Sequence, residues 1–237
     1  MPDLTIDRTL AEVVNLEPGA TRVLESFGLD YCCGGRQRLD HACATIDVDP
    51  ADVLEAIADL GPLPVADWTS MGPVALVDHL EATHHAYLHT ELGRLDALLD
   101  KVVGVHGARH VDLEGIAATY RVLRDDLEPH LQKEERMLFP MIRELATATE
   151  RPAFHCGSIT NPISVMMTEH DRVGELLESL RLMTGDYTAP PDGCASYRAL
   201  FDGLAQMEAD THLHVHKENN LLFPAVVELE QRWAAPA

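Results

Sequence analysis

The chain has 237 residues, enough for one large domain or for a medium domain with a small one attached. Asp and Glu number 39 against 18 Lys and Arg, a formal net charge of −21. Such acidity excludes non-specific nucleic-acid binding and docking on an anionic membrane, because both need a basic surface. No apolar run approaches the roughly 20 residues that span a bilayer, and the opening residues lack the basic and apolar stretches of a signal peptide. A cytoplasmic chain is expected, and the wealth of Leu, Ala and Glu favours helices.

Residues 1–60 read as a small helical unit. Leu10, Val13 and Val14 begin one short helix. Pro18 suits the first turn of a second, which runs towards Phe27 and stops at Gly28. Asp-Tyr-Cys-Cys-Gly-Gly at 30–35 is a tight loop, and Asp49 caps a last helix whose first residue is Pro50. So short a unit buries little core. It either leans on its own bundle or, in a homodimer, on another copy, or is mobile. Residues 61–73 are a linker by their Gly and Pro content. Four long helical patterns follow, near 74–103, 112–148, 162–183 and 194–232, and no alternating strand pattern appears. The predicted fold is therefore all-α: an up-down four-helix bundle over 74–237, joined to a small N-terminal helical domain.

The five cysteines stand at 32, 33, 43, 156 and 194. An odd count with an adjacent pair is not a disulfide framework, and reduced thiols are expected. The 13 histidines are the unusual entry in the composition, and their positions decide what they mean.

Residues 130–140, His-Leu-Gln-Lys-Glu-Glu-Arg-Met-Leu-Phe-Pro, return 84 positions later as His-Val-His-Lys-Glu-Asn-Asn-Leu-Leu-Phe-Pro. Six of the eleven positions are identical without a gap, so the chain holds two copies of a helix pair. His170 lies 44 residues before His214, and His85 lies 45 before His130. Helical phase puts these histidines on the apolar seams. His85 continues through Leu88, Leu92, Leu95 and Leu99. His130 shares its face with Leu123, Leu127, Glu134, Met137, Leu138 and Met141. His170 goes with Met166, Met167, Val173 and Leu177, and His214 with Leu204, Met207, Glu218, Leu221 and Leu222.

One histidine on an apolar face is more often a hydrogen-bonded core residue than a ligand. Two buried glutamates at matching depth change that balance, because buried carboxylates are paired or bind metal, and no Lys or Arg shares the seam. His85, His130, Glu134, His170, His214 and Glu218 are therefore the predicted metal ligands. Imidazole with carboxylate, without thiolate, disfavours structural zinc, calcium and magnesium. Six ligands from four helices suit two ions, with the glutamates bridging and room for an oxo or hydroxo group; this is the setting of a di-iron centre, Fe2+ or Fe3+. His84 competes with His85 for the first position, and the leucine seam and the spacing favour His85.

The pattern resembles the hemerythrin-like family of four-helix di-iron proteins. Within it, the chain is similar over nearly its whole length to the branch known for repair of iron–sulfur clusters, the RIC or ScdA type. The motifs that carry the resemblance are Asp-Tyr-Cys-Cys-Gly-Gly at 30–35, His-x3-Glu-Glu-x3-Phe-Pro at 130–140 and its second copy, Met-x-Glu-His-Asp at 167–171, and the His pair at 84–85. Classical oxygen-carrying hemerythrins resemble it less, since they lack the Cys-Cys domain. The resemblance implies two non-haem irons. It also implies a role in repairing iron–sulfur clusters damaged by nitric oxide or oxidants, by iron donation or by nitric oxide reduction at the di-iron site. The partners it implies are damaged iron–sulfur proteins and small gases, nitric oxide and oxygen. The competing reading is a sensing or storage module for oxygen, nitric oxide or iron, without catalysis.

The remaining residues are assigned more weakly. Glu169, next to His170, and Asp126, one turn before His130, are either supports for a ligand or solvated acids. Cys32 and Cys33 transfer iron, exchange electrons or merely pack, and their glycines and a following helix N-terminus are expected to lower the thiol pKa. His212 and His216 face away from the seam as a surface pair. Pro140 and Pro224 kink or end their helices.

Overall fold

The computed structural model describes residues 4–60 and 67–234. Among them there is no strand, only an isolated antiparallel bridge between Thr9 and Arg38. The short helices are α1 (Leu10–Leu16), α2 (Ala20–Ser26), α3 (Leu39–Thr45) and α4 (Pro50–Ala58). The long stretches are α5 (Pro73–Leu80) with α6 (Ala86–His106), α7 (Asp112–Lys133) with α8 (Phe139–Thr147), α9 (Thr160–Met183), and α10 (Ala195–Lys217) with α11 (Phe223–Ala234). Glu81–His85, Glu134–Leu138 and Glu218–Leu222 are single π-helical turns set between the paired segments. The all-α expectation holds, and the long helices stand where the apolar period put them. No described helix is long and apolar enough to cross a membrane.

The chain divides into two compact units, one of residues up to Leu76 together with those from His212 on, the other Val77–Thr211. In the first, local chemistry sets the helix ends. Thr9 and Glu12 form a capping box on α1: the Glu12 amide donates to the Thr9 hydroxyl at 3.2 Å and the Thr9 amide to Glu12 Oε2 at 2.9 Å. Gly28 ends the α2 turn at φ +72°, and the Ala51 amide donates to Asp49 at 2.9 Å ahead of Pro50. Helix α3 was not foreseen; it packs Leu39, Ala42 and Cys43 inwards through a short stripe in a polar segment. Of the expected linker, residues 61–66 lie outside the described residues, while Asp67–Ser70 form a 3-10 turn and α5 already begins at Pro73.

Within this first unit the N-terminal loop rests on the chain's own C-terminal segment. The Asn220 amide donates to the carbonyls of Tyr31 and Cys32 at 3.3 and 3.0 Å. His216 bonds the Asn15 side-chain oxygen at 3.0 Å and the Tyr31 carbonyl at 3.2 Å. It is fully buried, so the expected surface His pair is corrected: the N-terminal helices cover it, and burial pulls its pKa down to about 4. Gly35 is required by this approach. A Cβ there would lie 2.5 Å from the Tyr31 carbonyl oxygen and 2.7 Å from the Asn220 amide. Gly35→Ala should cost about 1–3 kcal/mol in denaturant unfolding, the usual size of an overpacking penalty, and an unchanged midpoint would refute the close fit.

The second unit is a helical bundle in which α6, α7, α9 and the α10 residues up to Thr211 share one core. Leu88, Leu92, Leu95 and Leu99 of α6 meet Ile116, Tyr120 and Leu123 of α7, Val173 and Leu177 of α9, and Leu200, Leu204 and Met207 of α10. The Tyr120 hydroxyl donates to the Leu92 carbonyl at 2.7 Å, which satisfies the one polar atom its ring carries into the core.

The π turns repeat with the sequence. Glu134–Leu138 and Glu218–Leu222 are 84 residues apart, each begins at a predicted ligand, and Phe-Pro follows each. The helix therefore continues past Pro140 and Pro224 rather than ending. A proline removes one ladder amide, and in both copies it falls just after the turn where wider bonds replace the regular ladder. The inserted residue also turns the face: Leu138 is buried while Met137 is 49 % exposed, against the expectation for Met137. Leu222 is likewise buried more deeply than Leu221.

Candidate metal centre

In the second unit His85 closes the π turn after α5, His130 ends α7 one turn before Glu134, and His170 lies mid-way along α9. All four side chains are buried, and Glu134 is completely so. His130, Glu134 and His170 each offer a ligand atom within 4.8 Å of the others. The Nε2 atoms of His130 and His170 stand 3.1 Å apart. Nε2 of His130 is 3.4 Å from Glu134 Oε2, and that of His85 is 3.6 Å from it. In the first unit His214 and Glu218, both buried, repeat the spacing, with Nε2 and Oε1 3.1 Å apart.

The outer nitrogens explain why the inner ones point as they do. His130 Nδ1 lies 2.9 Å from Glu169 Oε2, and the Lys133 ammonium contacts the same carboxylate. The hydrogen bond from His130, with Lys133 beside it, holds the Glu169 carboxyl down at about 2. His85 Nδ1 lies 3.0 Å from Glu135 Oε1, which also bonds His89 Nε2 at 2.6 Å. Against the upward push of burial, the bonds from His89 and His85 keep the Glu135 carboxyl below the ordinary range. A carboxylate at Nδ1 fixes the N–H there and leaves the Nε2 lone pair facing inwards, as metal-binding histidines require.

Glu134 supplies the test of fit. Neither of its buried carboxylate oxygens has a hydrogen-bond partner. A buried, unsatisfied carboxylate costs several kcal/mol unless something cationic compensates it. Imidazole lone pairs converging beside carboxylate oxygens form an N/O donor set suited to iron and lacking the thiolates of a structural zinc site.

Other residues stand elsewhere. His84 turns its Nδ1 to Asp210 at 2.9 Å. Asp126 pairs with Arg172 at 2.6 Å, so it supports no ligand. Glu135 escaped the sequence reading; the signal was the doubled Glu at 134–135, which the second copy replaces by Asn219.

In the first unit Asp30 organises the cysteine loop. Its carboxylate accepts from the amides of Cys32, Cys33 and Gly34 at 2.9–3.0 Å and from the Cys32 thiol at 3.1 Å. The two sulfurs are 3.9 Å apart and both are free thiols. The expected lowering fails for Cys32, whose pKa is raised by the hydrogen bond with Cys33, by burial and by the nearby Asp30 charge. The next helix does not begin until Leu39. Cys33 is the more exposed of the pair.

A helical bundle with a buried His/Glu donor set defines a class of cation-binding protein, and comparison with known proteins agrees. Residues 76–226 match the hemerythrin HHE cation-binding domain, and residues 6–61 match the ScdA N-terminal domain, a domain of unknown function. The chain is 35 % identical over 220 residues to the iron–sulfur cluster repair protein YtfE of Salmonella paratyphi B, covering 92 % of this chain and 96 % of that one. The YtfE proteins of Salmonella newport and Salmonella agona match to the same extent. The chain belongs to the hemerythrin-like iron–sulfur cluster repair family.

Proposed function

We propose that His85, His130, Glu134, His170, His214 and Glu218 together hold two non-haem irons, and that the protein serves the repair of iron–sulfur clusters damaged by nitric oxide or oxidants. The observation that carries the metal assignment is the buried carboxylate of Glu134, which no hydrogen bond satisfies and which faces imidazole nitrogens. The sequence repeat supports adding His214 and Glu218, which copy His130 and Glu134 in spacing, burial and π-helical setting. The names of the relatives support the repair role. The clients of this reading are iron–sulfur proteins, and its small ligands are nitric oxide and oxygen.

When bound, the irons supply a redox-active, Lewis-acidic centre for such gases or a source of iron for rebuilding. The chain's own residues do the rest. Glu135 and Glu169 hold the Nδ1 protons of His85 and His130 and so orient both rings. Cys32 and Cys33, in the Asp30 cradle, pass iron or electrons; Cys33 is the half-buried one that a client reaches. Free thiols suit a reducing, cytoplasmic setting. The domains that go with this reading are 1–60, a linker at 61–73, and 74–237.

Metal analysis with Mössbauer spectroscopy, on protein from iron-replete cells, tests the centre. Two coupled irons per chain are expected, and one tightly bound zinc without iron overturns it. Replacing Cys32 and Cys33 by Ala should abolish restoration of a nitric-oxide-damaged cluster enzyme while leaving the iron content unchanged. Unimpaired restoration by that variant would reassign the loop to docking.

A further inference from the structure

A second chemical site lies at the other end of α6. His106 is 21 residues beyond His85, about 30 Å along the helix at 1.5 Å per residue. Its Nε2 lies 3.2 Å from Sγ of Cys194, the residue just before α10. Cys194 occupies the capping position, since its carbonyl accepts the Arg198 amide at 3.1 Å, and its sulfur also receives the amides of Ser196 and Tyr197. Two backbone amides and one imidazole nitrogen thus converge on one sulfur. His106 is only 9 % exposed, and the Tyr197 ring packs edge-on against it at 5.4 Å, so the imidazole is held in place. Cys194 itself is exposed and is a free thiol.

A neutral thiol is a weak acceptor that gains little from the two amides, whereas a thiolate gains from each of them and from the imidazolium formed when its proton passes to His106. Sequence alone marks Cys194 as ordinary, because its partner is 88 residues away. We propose that Cys194 is a reactive thiolate, activated by His106, at which the protein takes up small disulfides by exchange and carries them as a reversible mixed disulfide. The Cys194 thiolate attacks one sulfur of the disulfide, and an Sγ–S bond forms as the original S–S bond breaks. The electron pair leaves on the second sulfur, which takes a proton from solvent; Cys194 is oxidised and the departing thiol reduced, so no further reactant is needed.

The donors have the expected effect on acidity. The bond from His106, then the amides, brings the Cys194 thiol down to about 7. Attack on disulfides is fastest when the thiol pKa is near the ambient pH. The charged and titratable groups around this corner are His106 on α6, Arg109 and His110 beyond it, Asp112 on α7, Asp192 before α10 and Tyr197 on it. His110 Nε2 pairs with the Asp192 carboxylate at 3.1 Å, which leaves His106 to the sulfur.

The test treats the full-length protein with dithiobis(nitrobenzoate) and with glutathione disulfide, and locates the adduct by peptide mass mapping. Cys194 should be modified before Cys33 and Cys156, with a rate half-maximal near pH 7, and Cys194→Ser should abolish that phase. His106→Leu should move the half-maximal pH up by about one unit or more, towards the value of about 8.5 for an ordinary thiol. Should that variant unfold, His106→Gln, checked by circular dichroism, serves in its place. A wild-type midpoint at about 8.5, a midpoint that ignores both His106 variants, or first modification at another cysteine overturns the proposal.

Discussion

Glu134→Leu is expected to strip iron from the protein and yet to stabilise the metal-free chain. Glu134 is fully buried, with no hydrogen bond to either oxygen. In the loaded protein its carboxylate is compensated by cations, so its removal should take iron from about two per chain to about one or fewer, and the metal's contribution to folding goes with it. In the chelated protein the same side chain is a buried polar group with neither oxygen hydrogen-bonded. Replacing it with an apolar side chain of similar volume should gain about 1–3 kcal/mol, a melting point higher by about 5 °C. Calorimetry of chelated wild type and variant, run at about pH 8 where an ordinary imidazole is neutral, reads the sign directly. A metal-free variant less stable than metal-free wild type would show that the carboxylate is satisfied without an ion, and would remove the main support for the centre.

The second large effect is expected at the outer carboxylates. Glu169→Leu frees the His130 ring and Glu135→Leu frees His85, and each should weaken iron binding about 10–100-fold in competition with a chelator. Glu169 stays charged throughout the working pH range, because the hydrogen bond from His130 and the neighbouring Lys133 hold its carboxyl at about 2. Its effect on affinity should therefore not vary between pH 6 and pH 8, roughly, a range far above that value. His89→Ala tests the same network from outside. His89 shares Glu135 with His85 but is itself half exposed, so its loss should change affinity by less than about threefold. Unchanged affinity in both Leu variants would mean that the rings are held by helix packing alone.

The helices were legible because their signal is local. An apolar period of 3.6 marks a buried stripe wherever a helix packs, and the long helices follow it to within a few residues. Helix α3 escaped because Asp40, His41 and Thr45 interrupt a stripe only two turns long. The repeat was legible too, since two copies of a motif need no structure to be seen. What it could not reveal was the π turn at each copy. One extra residue in a turn rotates everything beyond it by about 100°, which is why Met137 reaches solvent while Leu138 takes the seam.

Helicity, the inward faces of four His and two Glu, and the shared spacing of His130–Glu134 and His214–Glu218 are all legible along the chain. These follow from the geometry of a single helix, in which residues four apart are neighbours. What lies across from each residue is set by helix packing. Glu169 meets His130 across 39 residues, Glu135 meets His85 across 50, His106 meets Cys194 across 88, and Asn15 meets His216 across 201. Such pairings depend on the rotation and depth at which helices pack, which no spacing along one chain segment encodes. The same reason corrected the two cysteine readings: local glycines suggested an activated Cys32, but the hydrogen bond with Cys33 and burial raised its pKa, whereas Cys194, ordinary by sequence, was brought to an imidazole by the fold.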